Sequence, residues 1–127
     1  MSETTRPLYH LALAPEWERA RHAGSYDRST IDRSLAEEGF IHCSFAEQVQ
    51  GTADRFYRGR DDVVLLRIDP HRLDAPVRVE VAPGTGQAFP HVYGPIDVVA
   101  VEAADPVPVG AGGRLDVSGL LPPLSGR

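Results

Sequence analysis

His10, His42 and His91 each fall in a segment whose apolar residues alternate with period two, so each is expected on a strand. Alternation sends Phe40, His42 and Ser44 to one face of residues 40–44 and turns Ile41 and Cys43 toward the core. His91 and Tyr93 share a face in the same way. A histidine two places before a hydroxyl, where a strand meets a helix start, can bind anionic or ribose oxygens. The same ring can also carry protons near neutral pH. The competing reading is structural: Ser44 caps its helix, His42 bonds a loop, and His10, among apolar neighbours, finds a buried partner. His22 and His71, at a helix end and in a turn among charged residues, read as surface positions.

Other chemistries are removed by inventory. All 13 basic residues are arginine and lysine is absent, which excludes Schiff-base and P-loop lysines. Cys43 alternates away from His42 and reads as a small buried apolar residue, not as a nucleophile. No two histidines have the spacing of a local ligand pair, so no metal is expected. Eighteen acids against 13 arginines give a formal net charge of -5, which disfavours nucleic acid as a partner while leaving arginine forks for a phosphate. Glu80 and Glu102 lie on strands and can each supply a carboxylate to a cleft. With one cysteine, no signal-like start and no long apolar run, a cytoplasmic protein without a membrane role is expected.

The 127 residues suffice for one domain with a real core. Residues 1–6 are expected to fray, residues 7–105 to form the domain, and the Pro/Gly-rich residues 106–127 to be a tail. Strands are expected at 7–13, 40–43, 63–68, 76–81 and 96–101. Helices are expected from Pro15 to Gly24, over 30–38, and from Ser44 to Tyr57, the last opened by a Ser44–Glu47 capping box. Pro83-Gly84-Thr85-Gly86 reads as a hairpin or mobile lid before an extended 89–95. The fold class expected is α+β, with helices mainly in the N-terminal half packed on a mixed or antiparallel sheet.

Tyr9-His10-Leu11-Ala12, Trp17 with Ala20, Gly24 with Tyr26, Gly39-Phe40-Ile41-His42-Cys43-Ser44, Gln48, Phe56-Tyr57 and Phe89-Pro90-His91-Val92-Tyr93-Gly94-Pro95 together resemble the domain of unknown function 952 family of small bacterial proteins. That resemblance implies an ADP-ribosyltransferase-like fold, nearest the branch containing RNA 2′-phosphotransferases, and NAD as a candidate substrate. It would place a ribose hydroxyl on His10 and the nicotinamide ribose beside His42, with Ser44 assisting. Two positions depart from the pattern: Tyr9 stands where the phosphotransferases carry an arginine, and strand 96–101 lacks the early glutamate of many transferases.

Beside the analogy, an oxocarbenium-like centre needs ribose-positioning donors and a stacking ring, which His10, His42, Ser44 and Tyr93 or Phe40 can provide. The expected site is therefore His10 and His42 as catalytic residues, with Ser44, His91, Tyr93 and Phe40 binding a small nucleotide or phosphoester. If the protein turns a substrate over, it is expected to be an ADP-ribosyltransferase-like transferase. The alternatives are a two-histidine phosphoesterase and a non-catalytic binding module.

Overall fold

The computed structural model describes residues 4–30 and 33–122. β1 (Leu8–Leu13) runs directly into α1 (Ala14–Ala23), with Pro15 in the first turn, Glu16 at the positive end, and Arg21 and His22 at the negative end. Gly24, at φ 96°, takes the left-handed conformation that closes the helix and returns its N–H to the Ala20 carbonyl. There follow β2 (Ser25–Tyr26), α2 (Leu35–Glu38), β3 (Ile41–His42), a 3-10 turn at Ala46–Gln48, α3 (Val49–Phe56) and β4 (Val63–Ile68). The second half adds β5 (Val77–Val81), β6 (Ala88–Val92), β7 (Ile96–Asp97) and β8 (Val101–Pro106).

The class is α+β and the pairing is antiparallel, one of the two expected alternatives, but the single expected sheet is divided into three: β1-β4-β8, β2-β7 and β3-β6-β5. A two-residue bridge joins the first and third, with the backbones of Tyr9 and Ser44 exchanging hydrogen bonds of 2.8 Å. This bridge corrects the expected helix start. Ser44 is held as strand, its hydroxyl meets Thr52 Oγ1 at 3.2 Å, and the helical turn begins two residues later with Gln48 bonding the Phe45 N–H. The expected strand 96–101 is also divided, because β7 pairs with β2 before the turn at Val98–Ala100 carries the chain over to β4 as β8.

Helical structure is not confined to the first half. The three α-helices end by Phe56, but 3-10 turns recur at Pro70–Arg72, Val98–Ala100, Ala111–Gly113 and Ser118–Leu120. The expected frayed start and loose tail lie partly outside the described residues. Within them, Arg6 pairs with Glu47, and Val107, Leu115 and Val117 are buried against α3 and β4 in a second core cluster.

β1 is covered on both faces. Leu8 and Ala12 enter a cluster with Trp17, Tyr26 and Ile41, while Tyr9 and Leu11 enter the cluster with Val49, Ala53 and Tyr57. His10 shares the first face and is drawn into the core with it. Among the described residues, no helix is long and apolar enough to cross a membrane.

Candidate functional site

The third sheet carries the chemistry. Its core face is apolar, with Ile41 from β3, Val92 from β6 and Val77 from β5 all inaccessible to solvent. Period two therefore turns the polar and aromatic set outward together: His42 from β3, Phe89 and His91 from β6, and Arg78 and Glu80 from β5. In the ladder His42 faces His91, and His91 faces Arg78 on its other side. Phe40 and Tyr93, just beyond the strand ends, extend the same face.

The His42 and His91 ring centroids are 5.4 Å apart. His91 is held from three sides. Its Nδ1–H donates to Glu80 Oε1 at 2.7 Å, the Tyr93 hydroxyl donates to the same oxygen, and the Phe40 ring stacks on the imidazole at 4.0 Å. Hydrogen bonds from Tyr93 and His91 keep the Glu80 carboxyl below the ordinary glutamate range, and that carboxylate in turn pushes the Tyr93 hydroxyl up. The tautomer of His91 is thus fixed, and Nε2 has no partner among the described residues.

His42 is set differently. Its backbone N–H is held by Ser29 Oγ at 3.1 Å and its ring lies 5.0 Å from that of Phe89, but neither ring nitrogen has a partner among the described residues. Burial, and secondarily the neighbouring His91, lower its pKa to about 4, so the ring is neutral at physiological pH.

His10 lines neither large lobe of the cleft, only a cavity of about 10 Å³ beneath it that it shares with His42, Ser44, Thr52 and Phe56. Its Nδ1–H donates to the His42 carbonyl at 2.7 Å, which leaves Nε2 to accept from the Tyr26 hydroxyl at 2.9 Å. Burial lowers its pKa to about 4. Both nitrogens are spent inside the protein, and the ring fixes the backbone under His42. Ser44 also lies beneath the site, at the Tyr9 bridge.

Of the six residues expected at the site, Phe40, His42 and His91 meet in one cleft, Tyr93 acts on it through Glu80, and His10 and Ser44 support it from below. The cleft has two lobes that share His42, Phe56, Ala82 and Pro83. The larger, of about 570 Å³, is bounded by Phe40, His91, Ser29, Thr30, Arg33 and Glu38. The smaller, of about 210 Å³, lies between α3 and the 82–87 turn and is lined by Gln48, Thr52, Arg55, Thr85, Gln87 and Phe89. Phe56, 53% exposed, stands between the lobes as an open aromatic surface. Phe56 and Phe89 entered the sequence reading only within expected elements and the segments that carry the family resemblance, and Arg55 had no signal there. Glu80 had one, its place on a strand face with Arg78, but only the β5–β6 register sets it opposite Phe89 and beside His91.

Taken together, the fold and cleft define a small α+β protein whose third sheet presents paired histidines to a bipartite pocket. The chain belongs to the family described as "Protein of unknown function (DUF952)", which it matches over residues 11–104. It is similar to protein CC0527 from Caulobacter crescentus, whose X-ray structure shows 32% identity over 90% of this chain and 96% of that one, with a TM-score of 0.79. The solution NMR structure of CC0527 gives 33% identity over 91% of this chain and 96% of that one, with a TM-score of 0.75. No match is found among curated proteins. Neither the family match nor these structures supports the ADP-ribosyltransferase-like relationship that the sequence resemblance implied.

Proposed function

We propose that this protein binds a nucleotide or related small phosphoester in the cleft and acts on it by acid–base chemistry shared between His42 and His91. The observation that carries this reading is the cross-strand register His42↔His91, which sets two imidazoles side by side with only one of them backed by a carboxylate. The ring that is unprotonated at physiological pH and has no partner on either nitrogen among the described residues takes the role of base. A ring whose positive charge is matched by Glu80 suits the acid. His10 enters as a positioning residue, because its bond to the His42 carbonyl fixes the strand that carries the base.

Glycosyl transfer from NAD is weakened as the first choice, since the ring that would hold the ribose hydroxyl has both nitrogens engaged in the core. NAD nevertheless belongs in the ligand panel, because the cleft offers Phe40 and Phe56 to an aromatic base and Arg55 to a phosphate. A cytoplasmic location and a small-molecule partner are part of the same reading.

The test is a panel of nucleoside monophosphates, cyclic nucleotides, ADP-ribose and NAD at millimolar concentration, read by melting temperature and product formation. A ligand-dependent rise in melting temperature is expected, with turnover that falls at least about a hundredfold in His42→Ala and in His91→Ala. A panel without any response, or turnover that survives both substitutions, overturns the proposal.

A further inference from the structure

The two lobes differ in charge as well as in size. Among the described residues of the larger lobe the one arginine, Arg33, is paired with Glu38 at 3.4 Å, and the floor is largely apolar. In the smaller lobe Arg55 has no carboxylate partner among the described residues, and its guanidinium lies 5.5 Å from the Phe56 ring centroid. An unmatched guanidinium beside a base is a place for an anionic group. Among the described residues Arg55 is the one arginine lining that lobe, Arg78 on the same sheet face lies over the Tyr93 ring and offsets Glu80, and the whole chain carries a net charge of -5. A dianionic or polyanionic ligand would meet more repulsion than a single guanidinium offsets.

Resting on the acid–base reading above, we propose that the substrate is a small nucleoside phosphodiester with one negative charge. Its phosphate would lie in the Arg55 lobe and its base in the lobe bounded by Phe40 and Phe56, with the scissile bond over His42 and His91. His42 takes a proton from a water molecule as the water oxygen bonds to phosphorus. The ester P–O bond breaks with its electron pair going to the leaving oxygen, and protonated His91 gives that oxygen its proton. The products are a phosphomonoester and an alcohol, and the proton on His42 returns to His91 through solvent. The new monoester carries a second charge as it ionises, which the single guanidinium of that lobe holds less well in a chain of net charge -5, and this favours release.

Arg55 is exposed and its recorded contact is with the Phe56 ring, so Arg55→Ala and Arg55→Glu are expected to fold. Steady-state kinetics on 2′,3′-cyclic nucleotides are compared with nucleoside 5′-monophosphates and NAD. The expected result is preferential hydrolysis of the cyclic diesters, with KM raised about tenfold in Arg55→Ala and further in Arg55→Glu, while kcat changes less than about threefold. Added salt should raise KM in the wild type and leave Arg55→Ala almost unchanged. Preference for a monoester or NAD, or absence of cyclic-nucleotide turnover, overturns the proposal. If the histidine substitutions abolish turnover but KM ignores Arg55, the phosphodiester assignment fails and the acid–base reading stands. Turnover indifferent to His42 and His91 rejects both.

Discussion

The two imidazoles that face each other across β3 and β6 are chemically unequal. Glu80 gives His91 a fixed tautomer and a counter-charge, whereas the His42 ring has no carboxylate partner among the described residues and burial lowers its pKa to about 4. Glu80→Gln keeps an acceptor for Nδ1 but removes the charge that balances a protonated His91. It should lower kcat roughly ten- to hundredfold with little change in KM, the lower part of what an acid–base group contributes. The acid limb of the pH–rate profile should fall near pH 4, where His42 gains its proton, not at the ordinary 6.5 of a free histidine. Much of this was legible from residue type and alternation, which put His42 and His91 on strand faces pointing one way. The fate of His10 was not, because its partners, the His42 carbonyl and the Tyr26 hydroxyl, lie 32 and 16 residues away.

At the scale of elements, the site depends on the β5–β6 hairpin and on how β6 ends. Gly94 follows β6 and Tyr93, and a Cβ there would stand 2.7 Å from the Ala75 Cβ, a contact neither backbone can relieve without shifting. Gly94→Ala should therefore cost about 1–3 kcal/mol in denaturant unfolding, as overpacking does. It should also disturb the Tyr93–Glu80 bond more than the distant β1–β4 pairing. The extended segments and the stop signals of α1 and α2 were readable from apolar periodicity and from Gly24 and Gly39. A Ser34–Glu37 capping box, passed over in the sequence reading, starts α2 at Leu35, five residues after the expected start at Thr30. What no local pattern contains is partner choice. The split of 96–101 between β2 and β4, and the bridge that makes Ser44 strand and not cap, are long-range pairings that override local helix and strand signals.

For the whole molecule, the buried neutral histidine couples folding to pH. His10 has a folded pKa of about 4 against 6.5 unfolded, so between those values the unfolded chain binds the extra proton. Stability is then complete above about pH 6.5 and is lost as pH falls toward 4. From pH 7 to pH 5 His10 alone should remove about 2 kcal/mol, and His42 acts in the same direction. Urea unfolding at the two pH values checks this, and equal stability at both would contradict it. The acidic, lysine-free composition was legible as an exclusion of lysine chemistry. Its other consequence, a cleft whose smaller lobe has one unmatched arginine, depends on Arg33 finding Glu38 while Arg55 finds no acid among the described residues.

If His42 and His91 are one working pair, both rings must answer to one ligand in one cleft. Histidine-selective NMR, following all five imidazoles through a pH titration with and without a nucleotide phosphodiester, tests it directly. The pair should shift together on ligand addition, with His42 titrating near 4 and exposed His22 and His71 unmoved. Ligand shifts confined to His22 or His71, or a His42 ring that titrates at 6.5 and ignores every ligand, would contradict it.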